Sequence, residues 1–164
     1  MKTVLSWKKS AFSSTYRIYS GDESIGQLQY ASLKKTSRGN IRGKHYLFTT
    51  KGFFKQETLI LDGETDKPIG NIEYGSWRTK ASIRLSGRTV NWKYDNLWQT
   101  RWSLFDERGV HMSFAGGATK GTIEYDQPDD LLLLTGLFVT NYYQQAMIAV
   151  LLAVFIPIWV SLGN

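Results

Sequence analysis

The chain has no cysteine. That excludes a disulfide framework and a thiolate metal site, and it favours a cytosolic address. Proline is scarce, at three residues in 164, so turning falls to the 15 glycines, which tolerate the tight turns between short strands. No lysine or arginine follows Lys120. The N-terminus, Met1 to Phe12, has no apolar run of signal-peptide length, and Lys8 and Lys9 interrupt it early, so no cleaved signal is expected.

Catalytic signatures are missing too. The chain contains no Gly-x-Ser-x-Gly elbow, His-Glu-x-x-His pair, P-loop or dinucleotide fingerprint, so no catalytic residue, metal site or cofactor is assigned. Its two histidines, His45 and His111, stand in strand-like runs where no local motif supplies a nucleophile or carboxylate. Asp62, Glu64 and Asp66 alternate as in a calcium loop, but the twelfth position, Glu73, falls in a strand-like run. A plain turn is the expectation there. The sequence is read as a non-enzyme.

Aromatic rings are plentiful, with six Trp, nine Tyr and eight Phe, and rings favour pleated, half-buried surfaces. From residue 15 to 125 apolar residues alternate with polar ones, and turn signals recur every eight to twelve residues, the pattern of an all-β sandwich or barrel. Tyr16 and Ile18 share a face, as do Val90, Trp92 and Tyr94, then Trp98, Trp102 and Leu104, then Val110, Met112 and Phe114. Turns are expected at Ser20-Gly21-Asp22, Arg38-Gly39-Asn40, Asp62-Gly63, Ser86-Gly87, Asp95-Asn96, Arg108-Gly109 and Gly116-Gly117. A five-residue form repeats three times, as Gly26-Gln27-Leu28-Gln29-Tyr30, Gly70-Asn71-Ile72-Glu73-Tyr74 and Gly121-Thr122-Ile123-Glu124-Tyr125. In a strand its Gly, aliphatic and Tyr would face inward, and the Gly would leave space for a bulky neighbour.

Asp126-Gln127-Pro128-Asp129-Asp130 is a helix start. Leu131 to Thr140 then runs apolar on every side. A helix without a water-facing stripe must be covered by protein or by lipid. From 130 to about 143 it measures roughly 20 Å, the length of a six-residue strand, so it matches the height of a small barrel. A polar patch, Asn141-Tyr142-Tyr143-Gln144-Gln145, separates it from a second apolar stretch, Ala146 to Val160, interrupted by Pro157. That stretch approaches the ~20 residues of a bilayer span, which the first does not. One span across 131–152 would place Asn141, Gln144 and Gln145 at mid-bilayer, a costly position. The expected organisation is an antiparallel β-barrel of 10–12 strands over 1–127, a central hydrophobic helix over 128–145 and an apolar tail over 146–164.

Ile25-Gly26, Asp62-Gly63 with Pro68-Ile69-Gly70, and Asp130 followed by Leu131 to Val139 together resemble the tubby C-terminal-like group. That group comprises the tubby domain, the LURP-one-related proteins and the phospholipid scramblases. The resemblance implies a barrel of about twelve strands around a central hydrophobic helix, and contact with anionic membrane lipid. The chain departs from the group in lacking an extended tubby signature and a scramblase-like cysteine run, and in its second apolar stretch.

Charge agrees with that theme. Residues 1–120 hold all 20 Lys and Arg against ten acids, a net +10, whereas 121–164 hold four acids and no base. Two clusters stand out. Lys34, Lys35, Arg38, Arg42 and Lys44 form one, and Arg78, Lys80, Arg84 and Arg88 the other. They follow corresponding points of the first two repeats and are the candidate anion- or lipid-binding residues, each adding ~1 kcal/mol near an anionic surface. Nucleic acid is disfavoured, because the rings needed for stacking alternate on inward faces. Two functions stay open. One is a membrane-associated or lipid-headgroup-binding module on the cytoplasmic side, anchored through 146–163. The other is a soluble scaffold whose tail is buried in its own core, an oligomer or a protein partner.

Overall fold

The computed structural model describes residues 1–32, 36–52 and 56–162. Twelve strands run β1 Thr3–Lys8, β2 Thr15–Ser20, β3 Glu23–Gln29, β4 Thr36–Ile41, β5 Lys44–Lys51, β6 Glu57–Asp62, β7 Pro68–Tyr74, β8 Lys80–Leu85, β9 Arg88–Tyr94, β10 Arg101–Asp106, β11 Gly109–Gly116 and β12 Lys120–Tyr125. One helix, α1, runs Asp130–Leu162. Every strand pairs antiparallel with its sequence neighbour, and β1 pairs with β12 from Thr3↔Tyr125 to Lys8↔Lys120. That last pairing closes the barrel and removes both sheet edges.

Alternation explains the interior. Ile18, Leu28, Ile41, Phe48, Ile60, Ile72, Ile83, Val90, Leu104 and Ile123 each sit on a different strand and are fully buried. Leu5 and Met112 complete the circuit from β1 and β11. These side chains meet α1, in which every residue from Leu132 to Asn141 is buried. Sequestering such a leucine contributes about 1.5–3 kcal/mol, so the helix is the core and the sheet its cover.

Fit between the two layers is close. A Cβ at Gly39 on β4 would lie 2.9 Å from Leu134, and one at Gly136 on α1 would lie 2.4 Å from the Phe114 ring. Phe48 on β5 stacks on Phe138 of α1 at 4.7 Å between centroids; within the sheet, the cross-strand pair Trp102 and Phe114 stacks at 5.5 Å.

Three hairpins carry a register shift at matching places: β2–β3 between Ile18 and Tyr19, β6–β7 between Ile60 and Leu61, and β10–β11 between Leu104 and Phe105. An extra residue bends a strand and increases its twist, so the bulges mark three corners of the cylinder. The internal repeat is thus four strands long. Gly26 and Gly70 occupy equivalent points, opposite Ile18 and Ile60. The third sequence copy does not belong with them. Met112 of β11 faces Leu104 at the matching position, whereas Gly121 lies one strand further on, opposite Trp7.

Several expectations need correcting. Arg38-Gly39-Asn40 is mid-strand; the turn follows at Arg42-Gly43, both with positive φ, the two-residue hairpin geometry that matches sheet twist. The repeat glycines make room for a neighbouring strand rather than for the helix. A Cβ at Gly26, Gly70 or Gly121 would meet the carbonyl oxygen of Asn40, Arg84 or Ala115 at 2.5, 2.6 or 2.1 Å. Trp98 shares no face with Trp102, because it is exposed in the 95–100 loop, and Val110 is exposed as well. The helix starts at Asp130, so Pro128, where the expected span begins, precedes it. The central helix and the tail are a single helix that continues through Pro157.

Gly136→Val, which drives two methyls toward Phe114, is expected to destabilise the barrel by about 1–3 kcal/mol through overpacking. Denaturant unfolding in detergent micelles measures this. A variant as stable as the parent would contradict the close packing at that crossing.

Candidate functional site

Because α1 runs along the barrel axis, the barrel has two distinct mouths. At the lower mouth, where α1 begins, chain segments 21–22, 42–43, 63–67, 86–87, 107–108 and 126–129 connect the elements. At the upper mouth, where α1 leaves, the connections fall after β1, β3, β5, β7, β9 and β11.

The lower mouth is a clamp. Asp129 is the N-cap: its Oδ1 accepts from the Leu132 N–H at 3.0 Å, and its carbonyl accepts from Leu133 N at 3.0 Å. An N-cap carboxylate satisfies a free helix donor and lies at the positive end of the helix dipole. The same carboxylate pairs with Arg88, the first residue of β9, and Asp130 pairs with Arg42, from the turn joining β4 to β5. Arg42 also donates to the Tyr125 hydroxyl at 3.3 Å. Arg42 holds φ at 46°, a left-handed conformation that an arginine adopts at some cost, and its bonds to Asp130 and Tyr125 keep it there. Acids gather at this end: Glu64, Asp66, Asp126 and Asp129 lie in two of the connections, Asp62 ends β6 and Asp130 opens α1. Asp62 is occupied by its own turn, accepting from Glu64 N, Thr65 N and Thr65 Oγ1 at 2.9–3.0 Å. Those bonds, the Thr65 amide first, hold its carboxyl below the usual range.

The upper mouth is a collar of rings and amides. Asn141 is buried, and its Oδ1 accepts from the Tyr16 hydroxyl at 3.1 Å. Tyr143 donates to the Lys80 carbonyl, and its oxygen accepts from Gly75 N at 3.2 Å. Tyr142 donates to Gln56 and stacks on Tyr74 at 3.8 Å. Arg78 donates to the carbonyl of Ala146 at 3.4 Å. The polar patch that would be costly at mid-bilayer therefore belongs to the barrel's rim. Burial pushes the Tyr30 and Tyr94 hydroxyls up to about 12, so both stay neutral. Cations mark this end: Lys8, Lys51, Lys80 and Lys120 are strand termini there, and Lys9 and Arg78 lie in the connections.

The two basic clusters divide between the mouths. Arg42, Lys44 and Arg88 lie at the lower mouth, two of them committed to Asp130 and Asp129. Arg84 pairs with Glu73 at 3.1 Å. Arg38 is exposed midway along β4. Arg78 and Lys80 lie at the upper mouth. Lys34 and Lys35 lie outside the described residues. No single surface gathers the members of the set that are among the described residues.

Sequence reasoning missed one carboxylate–histidine pair: His111 Nε2 stands 2.7 Å from Asp106 Oδ2 across the β10–β11 hairpin. A backbone bond from Arg108 and this histidine lower the Asp106 pKa. Among the described residues no group of three or more His, Asp or Glu side chains is placed to hold a metal ion.

The fold and its two mouths define a closed β-barrel threaded by a helix that outlasts it. Comparison with known proteins finds no family model, no curated protein and no solved structure that matches the chain.

Asp129→Ala removes both a cap and an ion-pair partner, and is expected to cost about 1–2 kcal/mol. Arg88→Ala, which breaks a half-exposed pair, is expected to cost under about 1 kcal/mol. The double variant should fall short of their sum in denaturant unfolding. Strict additivity would show that the two side chains do not act together.

Proposed function

We propose that this is a membrane-anchored module whose barrel rests on the cytoplasmic face of an anionic bilayer and whose helix crosses that bilayer. The observation that carries the reading is the division of α1. Residues 132–141 are buried without exception, whereas 147–161 are exposed without exception and contain no charged residue. A 33-residue helix is about 50 Å long at ~1.5 Å per residue. About 20 Å of it lies in the barrel, and about 28 Å projects beyond Tyr143. A bilayer's hydrocarbon core is ~30 Å thick. Soluble proteins rarely leave so large an apolar surface in water.

Several features support the orientation. Among the described residues, cations outnumber acids at the upper mouth, from which the helix projects, and acids outnumber cations at the lower one. Basic residues beside a span favour the cytoplasmic side. The twelve strands and central helix agree with the tubby-like resemblance, in which anionic lipid is the recurring partner. Of the candidate cations, Arg78 and Lys80 are placed to meet headgroups under this reading.

Membranes from expressing cells, washed with alkaline carbonate, should retain the protein until detergent is added. Leu151→Lys with Leu152→Lys places two charges near the middle of the projecting helix, each costing about 2.5–3.5 kcal/mol there. This variant should move to the soluble fraction with its near-ultraviolet circular dichroism unchanged. Parent protein recovered as a monodisperse species without detergent would contradict the anchor and favour the soluble scaffold, its tail covered by an oligomer.

A further inference from the structure

The upper mouth carries a feature that neither packing nor turn chemistry requires. Phe12 in the connection between β1 and β2 is 106% exposed, Trp77 between β7 and β8 is 88% exposed, and Leu97 and Trp98 between β9 and β10 are 98% and 86% exposed. Their neighbours are ordinary turn residues: Ser10, Ser13 and Ser14 around Phe12, Gly75 and Ser76 before Trp77, and Asn96 before Leu97. Turns of that composition close without a large apolar side chain. At the lower mouth, connections 21–22, 42–43, 63–67, 86–87, 107–108 and 126–129 contain no aromatic residue at all. The asymmetry follows the helix. Phe12 and Trp98 line one groove with Gln144, Met147 and Ile148, the part of α1 that is just leaving the barrel. The Trp77 loop is tied to the same level through Arg78 and the Ala146 carbonyl.

Tryptophan and other large apolar side chains beside cations suit one boundary above others. At the headgroup layer the ring is withdrawn from water, its polar edge stays wet, and lysine and arginine reach phosphates. Building on the anchor reading, we infer that Phe12, Trp77, Leu97 and Trp98 form a seating ring that inserts into the headgroup layer of the leaflet α1 enters, with Lys9 and Arg78 on its phosphates. The occupant is the lipid surface itself. The rings flank the shaft at its point of emergence, and the bordering cations match an anionic leaflet. The barrel is then held at several points around the helix and does not swing on a single stalk.

Brominated phospholipid quenches tryptophan only within the bilayer, which separates this inference from the anchor. The full chain is reconstituted in vesicles of phosphatidylcholine and phosphatidylserine, with bromine near the headgroup or deep in the chains. Trp77→Phe with Trp98→Phe leaves Trp159 as the exposed reporter; Trp98→Phe with Trp159→Phe leaves Trp77; Trp77→Phe with Trp159→Phe leaves Trp98. Trp7, Trp92 and Trp102, all buried in the barrel, are a constant background, subtracted with the triple variant. Trp77 and Trp98 should each be quenched by shallow bromine, at least about twofold more than by deep bromine, as the interfacial preference of tryptophan requires. Quenching of Trp159 with no effect on Trp77 and Trp98 would overturn the seating ring and leave the anchor standing. No quenching at any of the three would remove both.

Discussion

A helix that is apolar all the way round can be wetted nowhere along its length, and the rest of this structure is arranged around that constraint. The first half of α1 is covered by twelve strands that each turn an aliphatic or aromatic side chain onto it. Strands of six to eight residues are the right height for the task. The second half has the same composition and no cover. In our reading the bilayer replaces the sheet, and one rod passes between two apolar environments without a hinge.

Polar chemistry then appears where the rod crosses a boundary. At its start, Asp129 caps the free helix donors and meets Arg88, while Asp130 meets Arg42, the two arginines coming from equivalent hairpins. At its emergence, Asn141, Tyr142 and Tyr143 find partners on β2, β7 and β8 and the segment before β6. The ion pairs among these contacts supply little net stability, since exposed pairs contribute only about 0–1 kcal/mol. Their role is positional. A smooth apolar rod in a smooth apolar sleeve could slide, and sliding would strip both sets of bonds at once.

Much of this arrangement was legible in the sequence, because it rests on local periodicity. Alternation in runs such as Tyr16-Arg17-Ile18 marked strands, and unbroken apolarity from Leu131 marked a covered helix. The match between helix length and strand length placed one inside the other. What was illegible depends on contacts distant in sequence. Arg42 and Arg88 read as free cations because their partners lie 88 and 41 residues away. Gly39 read as a turn residue because glycine in a strand is indistinguishable from glycine in a turn until Leu134 arrives opposite it. Trp98 fell into step with Trp102 by parity, although the intervening loop breaks the alternation. A ring amid Gly, Ser and Asn is the signal that could have exposed Trp77 and Trp98 as surface residues.

The central claim, that one helix is sheathed by protein along its first half and by lipid along its second, is tested most directly by a carbene probe dissolved in the bilayer of reconstituted vesicles. Photolysis followed by mass spectrometry maps which residues the lipid phase touches. Adducts should fall within 146–161 and be absent from 131–143. Adducts within 131–143, or none anywhere on the helix, would contradict the account.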